Sequence, residues 1–535
     1  MKTRTFILSL VAALCALSAM GQSSDAALRD KMTSAVMKVY DDHLAQNPND
    51  YNVLYARAHQ NFYNGDYTAA LADVNQAMLL TPKTDKELRF DEYILRARIS
   101  DARHDYASEL ADLRLAQELQ PKSLPCVDMI AKANLKTGNL DAAEKAFKTI
   151  LRAESKNYDA MYGLAQVELA RGNGKNAIEQ VDKAVELFHA EPQVYINRAD
   201  IYARQGDINA AVIDLLQGMA VGDDGSALQS LFDLSDTNYD GVMNSLATLA
   251  DQSTDGGGVF RFLRANIAMD HLCYAQALRD LQHIKRSHLY DSPTVDYGIG
   301  KCCLELGRFD EAVTNLDNAM TLDPSRPEFY VDKAIADYYA GNGGNYETAM
   351  QTLKRCSSFA PQYVPMLLAK ASLLSSQGKD QEALGYLNAA VANEPANAEA
   401  RLTRALLFKK LDNMNLAAKD LNVVIAGLDD GLEGFKGFAF SELGRDSDMY
   451  RWLEQRTAKT VAGGENFYYA ALLMAMRGDN FKAMEYLQRA LDNGYGSLLN
   501  LQYDTLSPLG LKSLREDSGF PLLIEKAQRN FVEHY

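Results

Sequence analysis

The feature that most constrains this fold is a spacing of small residues that recurs along the 535-residue chain. In residues 295–327, Gly307 lies between two amphipathic segments, Ala319 lies in the second segment, and Pro324 follows it. A small side chain lets two helices approach closely, glycine allows a tight turn, and proline cannot continue a helix. The spacing therefore predicts antiparallel helical hairpins joined in series, each about 34 residues long.

The spacing and its residue types resemble the tetratricopeptide repeat family over nearly all of the chain after the leader. The clear copies begin near Tyr51, Tyr158, Pro192, Gly258, Pro293, Pro327, Val364, Ala398 and Gly464. Weaker copies begin near Phe90, Leu124, Asp223 and Asp430. The resemblance implies an all-α fold, namely a right-handed superhelical solenoid of about thirteen helix-turn-helix repeats with a C-terminal cap.

Departures from the spacing predict how the chain is divided. The copy near Phe90 has Glu109 where a small residue belongs, and residues 219–257 keep the spacing poorly. Residues 506–531 are similar to the closing segment that often follows such arrays, which need a polar terminal cap. We predict a signal peptide at 1–21, an N-terminal capping helix at 22–50, an N-terminal repeat array at 51–218, a degenerate repeat or break at 219–257, a C-terminal repeat array at 258–497 and a C-terminal cap at 498–535.

The leader is typical of a secretory signal. Lys2 and Arg4 precede an apolar run at 6–20, which is short for a membrane span. Gly21 then supplies a small residue at the expected cleavage site. Two alternatives stay open, an uncleaved membrane anchor and a lipoprotein attached through Cys15. The leader predicts export to the periplasm, the outer membrane or the medium, and its style resembles exported proteins of the Bacteroidota.

The charge and hydropathy of the mature chain exclude two classes of partner. Loss of Lys2 and Arg4 with the leader takes the formal net charge from −16 to −18. Such a charge opposes nucleic acid and anionic lipid surfaces. No later stretch is as apolar and long as a membrane span, so we expect the mature chain not to cross a membrane.

Motifs that carry catalysis or bind cofactors are missing from the sequence. The cysteines after the leader are odd in number and sparse, which argues against a disulfide framework and for apolar packing: Cys126, Cys273, Cys302, Cys303 and Cys356. His283 and His288 are five residues apart, which does not place two ligands on one helix face. We expect no enzymatic activity and no cofactor. An enzyme with an unrecognised site would instead show ionisable residues clustered in one cleft.

A stretch at 234–249 resembles a calcium loop. Asp236, Asn238 and Asp240 occupy the first, third and fifth places of a D-x-N-x-D-G pattern. The twelfth place needs a carboxylate in such loops, and here it is Ala247. We therefore interpret the stretch as structural, with Asp236 as a helix N-cap, and predict no metal site.

The family resemblance implies that partners bind along the face formed by the first helices. We define the groove positions as the fifth and ninth residues of each copy's first helix. They carry Tyr55 and His59, Tyr162 and Gln166, Phe262 and Asn266, Tyr297 and Lys301, and Tyr468 and Leu472. Aromatic groups beside polar ones suit contact with a ligand, although the same tyrosines could simply pack between neighbouring copies.

The resulting prediction is a non-catalytic scaffold or adaptor of the cell envelope that binds a partner protein or peptide along the groove positions. The alternative is a protein that binds a glycan or small molecule inside the superhelix. A closed pocket lined by aromatic side chains would favour that alternative.

Overall fold

The computed structural model describes residues 36–222, 224–254, 256–289, 292–340, 345–427, 434–458, 463–503, 506 and 509–533. The predicted signal peptide therefore lies outside the described residues. The described chain forms two compact units, 36–234 and 235–533, and their boundary falls within the interval 219–257. Helices are the only regular secondary structure in the described ranges.

The first unit begins with a helix over residues 36–46, and five antiparallel hairpins follow it. The hairpins are α1 Tyr51–Tyr63 with α2 Tyr67–Leu80, α3 Lys86–Ala102 with α4 Tyr106–Leu119, α5 Leu124–Lys136 with α6 Leu140–Ala153, α7 Tyr158–Ala170 with α8 Gly174–Leu187, and α9 Pro192–Arg204 with α10 Ile208–Val221.

A long kinked helix, α11 Ser226–Gln252, spans the boundary between the units. Its backbone leaves the helical region at Asn238 (φ −142°, ψ 48°), so two helices meet there instead of one. They occupy the place of the weak copy predicted near residue 223.

The second unit continues with seven hairpins and a closing segment. The hairpins are α12 Gly258–Asp270 with α13 Tyr274–Arg286, α14 Pro293–Glu305 with α15 Phe309–Leu322, α16 Pro327–Tyr339 with α17 Tyr346–Ser357, α18 Val364–Ser376 with α19 Asp380–Asn393, α20 Ala398–Lys410 with α21 Met414–Ala426, α22 Phe435–Glu442 with α23 Asp446–Thr457, and α24 Glu465–Met476 with α25 Asn480–Asp492. The closing segment comprises α26 Leu498–Gln502, a 3₁₀ turn at Lys512–Leu514 and α27 Phe520–Glu533.

The first hairpin shows why the spacing folds in this way. Ala58 on α1 and Ala70 on α2 are fully buried, which is what a close helix–helix contact requires. Gly65 adopts a left-handed φ of 79° between the helices, a conformation that costs glycine little. Asp66 then caps α2 by accepting a hydrogen bond from the Ala69 amide. The predicted all-α fold of helix-turn-helix repeats is confirmed within the described residues, which contain twelve helical hairpins, the kinked helix α11 in place of a thirteenth, and a closing segment after the last hairpin.

Five hairpins share an ion pair that the sequence analysis did not identify. An arginine on the first helix donates two hydrogen bonds to an aspartate sixteen residues later on the second helix, a strong planar pairing. The pairs are Arg57–Asp73, Arg96–Asp112, Arg198–Asp214, Arg264–Asp280 and Arg404–Asp420. They fix the register of the two helices, because each pair joins one turn of the first helix to one turn of the second.

Candidate functional site

The groove positions of the first hairpin lie in an aromatic row along α1. Tyr55, His59 and Tyr63 follow one another at four-residue spacing, with ring centroids 6.2 Å and 4.8 Å apart. Tyr63 is 61% exposed, which is unusual for a tyrosine that packs against other rings. Residues four apart lie on one face of a helix, so these rings form a single strip that is half-buried at Tyr55 and His59 and exposed at Tyr63.

An arginine from the next hairpin completes this strip. Arg98, the groove residue of the copy near Phe90, lies with its guanidinium carbon 4.8 Å from the Phe62 ring centroid and 5.7 Å from that of Tyr63. Within the described part of the chain, no carboxylate lies within ion-pair distance of Arg98. A guanidinium held by ring faces keeps its hydrogen-bond donors available to a ligand.

Burial and nearby charges shift the pKa values of His59 and Tyr55 in the strip. Burial lowers the pKa of His59, and the positive charge of Arg98 lowers it further, so His59 is neutral near pH 7. Burial raises the pKa of Tyr55 to about 12, and the carboxylates of Asp91 and Glu92 add to that increase. We name Tyr55, His59, Tyr63, Asp91 and Arg98 the α1–α3 patch.

The second pair of predicted groove residues in the first unit connects two hairpins. The Tyr162 hydroxyl donates a 2.7 Å hydrogen bond to Asp200 on α9, and Arg204 pairs with the same carboxylate at 2.9 Å. Burial and the charge of Asp200 raise the pKa of Tyr162, so it remains a donor. Tyr162 and Gln166 are both half-buried. Contact of either residue with a partner stays a prediction.

The predicted groove residues at 262 and 266 lie inside the second unit. Phe262 is 9% exposed, and the Asn266 amide donates to the Phe262 carbonyl of its own helix at 2.7 Å. Their side chains are already engaged in packing and in a helix-local hydrogen bond, which is the alternative left open by the sequence.

The next groove residues in the second unit also join neighbouring hairpins. Tyr297 stacks on Phe329 with centroids 4.7 Å apart, and its hydroxyl donates to Asp332 at 2.8 Å. Lys301 reaches Asp332 at 3.2 Å and Glu305 at 3.4 Å. The groove residues of the copy that begins near Gly464 are buried: Tyr468 is 4% exposed and Leu472 is 3% exposed.

The closing segment lies against this face of the second unit. The Ser497 hydroxyl donates to the buried Glu305 carboxylate at 2.7 Å. The Tyr339 hydroxyl donates to the Tyr503 carbonyl at 2.7 Å, and the Tyr503 ring meets Phe309 edge to face at 4.8 Å. These contacts join residues more than 150 positions apart in sequence. The C-terminal part of the chain therefore covers the turns of the α14–α15 hairpin and the end of α16.

A cavity of about 410 Å³ remains between the closing segment and α18 to α20. It is lined by Ala371, Ser372, Ser375, Ser376, Leu387, Thr403, Leu406, Leu407, Lys410, Leu506 and Lys512. Ser372 and Leu406 are groove positions, while Leu506 and Lys512 belong to the closing segment. Among the described residues the lining contains leucines, hydroxyls and lysines but no aromatic ring, which is the feature that would favour a glycan site.

The calcium-like stretch is helical except at a kink. Asp236 and Asp240 lie within α11, on either side of the kink at Asn238. The Asn238 amide donates to Thr237 at 3.0 Å. Asp236 approaches His271, with 3.7 Å between its carboxylate and Nε2. All five cysteines after the leader are buried, and none of them forms a disulfide bond within the described residues.

Three segments match models of one repeat family. Residues 129–192 match one tetratricopeptide repeat model, and residues 192–220 and 297–326 match another. The matched segments coincide with helical hairpins of both units. These segments are tetratricopeptide repeats. Proteins built from such repeats generally mediate protein–protein interaction, and no model of an enzyme family is among these matches. Within the described residues, no helix combines the length and apolarity needed to cross a membrane.

One curated relative shares part of the array. The tetratricopeptide repeat and J domain-containing co-chaperone DNJ1 of Fusarium oxysporum f. sp. lycopersici is 35% identical over 88 residues. The match covers 15% of this chain and 17% of that protein, so the chain spans about a sixth of the relative's length.

Solved tetratricopeptide structures resemble the chain at low identity. The C-terminal part of a repeat protein from Cytophaga hutchinsonii is 14% identical, with 58% of this chain and 98% of that chain covered and a TM-score of 0.29. A repeat protein from Parabacteroides merdae is also 14% identical, with coverages of 46% and 99% and a TM-score of 0.24. Naa15/Naa10 bound to HypK-THB is 13% identical, with coverages of 100% and 94% and a TM-score of 0.32. At these TM-scores the likenesses carry no argument about this chain.

Three members of the α1–α3 patch were not predicted from the sequence, namely Tyr63, Asp91 and Arg98. Tyr63 continues the four-residue spacing of Tyr55 and His59, so a search for aromatic residues at that spacing would have found it. Arg98 also occupies a groove position, but it lies in a weak copy. In that copy Phe90 alone marks the residue from which groove positions are counted.

Proposed function

We propose that this protein is a non-catalytic interaction scaffold that holds a partner protein or peptide against the α1–α3 patch of its first unit. The observation that supports this most directly is the exposed ring of Tyr63 beside a guanidinium that has no carboxylate partner in the described residues. Tyrosine and arginine are the residues that most often dominate the energy of protein interfaces.

The contrast between the two units supports placing the site in the first. In the second unit the groove residues are buried or joined in ion pairs, and the closing segment lies against that face. In the first unit the strip of Tyr55, His59 and Tyr63 remains accessible. A partner gains free energy by burying exposed apolar area, and that area is available at the α1–α3 patch.

The chemistry of the patch favours a partner segment with an apolar or aromatic side chain and a neighbouring carboxylate. The apolar side chain would pack on Tyr63, and the carboxylate would pair with the donors of Arg98. A neutral His59 lets an apolar group approach without desolvating a charge. The predicted leader adds a location to this proposal, so we place the scaffold in the cell envelope or outside the cell.

The partner can be identified by affinity purification from the envelope fraction of the native organism, followed by mass spectrometry. We expect one protein to co-purify in constant ratio with the full chain. Its affinity should fall at least about tenfold when Tyr63→Ala and Arg98→Ala are combined, since interface residues of these types often contribute more than 1 kcal/mol each.

A matched control is the pair Leu79→Ala and Arg103→Ala, which also removes one exposed apolar and one exposed cationic side chain from the first unit. Equal affinity of the partner for both double variants would contradict the proposed site. If no protein co-purifies and a glycan or small molecule is released on denaturation, the alternative function would replace this one.

A further inference from the structure

A cluster of metal-binding side chains forms where the second unit begins. Asp236 comes from α11, Asp270 ends α12, and His271 follows it directly. One ligand atom from each of the three lies within 4.8 Å of the other two. The residues come from two helices, and contacts of Ser235 and Tyr239 on α11 with His271 hold them together.

We propose that Asp236, Asp270 and His271 bind a divalent transition metal ion of the zinc class. Carboxylate oxygens and imidazole nitrogens are both zinc ligands, and an imidazole ligand favours Zn²⁺ over Ca²⁺ or Mg²⁺. The three ligand atoms lie within 4.8 Å of one another, so small side-chain rotations would bring all of them to about 2.1 Å from one ion. Neither the scaffold function nor the calcium-like pattern predicts this set, since Asp240 does not belong to it.

The surroundings of the cluster favour a cation. Within the described residues neither carboxylate pairs with a lysine or an arginine, and the polar neighbour of Asp236 is His271. A bound cation would offset the repulsion between the two carboxylates.

The histidine is held in place before any ion binds. His271 is 4% exposed, and its Nε2 is hydrogen-bonded to the Ser235 hydroxyl at 2.9 Å. The Tyr239 ring meets the imidazole edge to face at 4.9 Å, and the Tyr239 hydroxyl donates to Gln276 at 2.9 Å. Nε2 is also the nitrogen that approaches Asp236, so an ion bound through it would displace the Ser235 hydroxyl, while the two accessible carboxylates leave one side of the cluster open.

The position of the site suggests what the ion would stabilise. The His271 carbonyl oxygen lies so close to Gly463 that a Cβ there would be 2.0 Å from it, and Gly463 has a φ of +81°. The turn that carries His271 is therefore in direct contact with the start of the last hairpin. Holding this turn would stabilise the contact between the first and last hairpins of the second unit.

Titration of the chelator-treated full chain with Zn²⁺, followed by calorimetry, tests the proposal. We expect one saturable equivalent, and visible absorption bands when Co²⁺ replaces Zn²⁺. Asp270→Asn and Asp236→Asn should each weaken Zn²⁺ binding at least about tenfold, since even outer-shell changes have effects of that size. Both side chains are exposed, so these variants should keep their fold.

Two controls separate this site from adventitious binding. Asp240→Asn removes the nearest carboxylate of the calcium-like pattern, and His288→Gln removes another histidine of the second unit; neither should change the Zn²⁺ affinity. The proposal is wrong if no saturable uptake occurs, or if all four variants bind Zn²⁺ as the parent chain does. Preferential binding of Ca²⁺ that Asp240→Asn abolishes would also overturn it.

Discussion

Replacing Arg198 with methionine is expected to lower the free energy of unfolding by about 3 kcal/mol, because it leaves a buried carboxylate without its partner. Arg198 on α9 donates two hydrogen bonds of 2.7 Å to Asp214 on α10. The Asp214 side chain is only 5% exposed, and no other cation pairs with it within the described residues. Burial raises the pKa of Asp214 while Arg198 lowers it, so removal of the guanidinium leaves only the unfavourable effect.

The same helix supplies the control for this experiment. Arg204 forms an exposed pair with Asp200, and Arg204→Met should change the stability by less than about 1 kcal/mol. Urea unfolding followed by circular dichroism would measure both variants. The double variant Arg198→Met with Asp214→Leu should recover most of the loss, because an apolar pair has no charge to desolvate. A single variant as stable as the parent chain would show that the pair does not contribute to stability.

The arginine–aspartate pairs explain how a degenerate array keeps its hairpins in register. Some copies without the arginine have an apolar residue in its place, such as Ile130, Leu164 or Ile299, and two others have Lys333 and Lys370. Apolar packing tolerates small shifts between helices, whereas a two-bond ion pair fixes one position. The ion-paired hairpins occur in both units. In each unit, therefore, apolar packing and ion pairs together determine the register of the paired helices.

The starts of the first helices could be predicted because their signals are local. The copies predicted to begin at Tyr158, Pro192 and Val364 have first helices that begin at those residues. Proline at the start of a helix and glycine between helices act within a few positions of their own location. The helix of the weak copy near Phe90 instead begins at Lys86, because Asp85 caps it by accepting a hydrogen bond from Leu88.

The environment of the candidate sites could not be predicted because it depends on distant residues. Nothing near Glu305 in sequence indicates that Ser497 binds it, and nothing near Asp236 indicates that His271 lies beside it. The identity of the groove residues could be predicted from the repeat frame. Whether a groove residue is accessible depends on which other segment packs on it, and the frame contains no such information.

Glu109 is expected to destabilise the protein at pH 8 by about 2 kcal/mol relative to Glu109→Gln, and to have almost no effect at pH 4.5. It occupies the place where Ala70 lies in the first hairpin, and it is 3% exposed. One of its carboxylate oxygens is buried without a hydrogen-bond partner in the described residues. Burial raises its pKa to about 7, the charge of Asp101 adds to that increase, and Lys136 opposes it.

The sign of this pH dependence follows from whether the folded or the unfolded state binds the proton. The folded state binds a proton near pH 7, whereas an unfolded glutamate does so only near its ordinary pKa of 4.5. Stability from this group is therefore present at pH 4.5 and is lost as the pH rises through 7. Urea midpoints of the parent chain and the glutamine variant should diverge over that window, with the variant more stable at high pH.

Glu144→Gln is the matched comparison, because its pH dependence should have the opposite sign. Hydrogen bonds from Lys148 and Arg171 lower the pKa of Glu144, so its ionised form stabilises the fold at pH 8 and loses that effect in acid. If Glu109→Gln and the parent chain kept equal stability at every pH, the carboxyl would have to reach water in the folded state. A glutamate at a position that otherwise holds alanine would then be tolerated by local opening of the α3–α4 hairpin instead of by protonation.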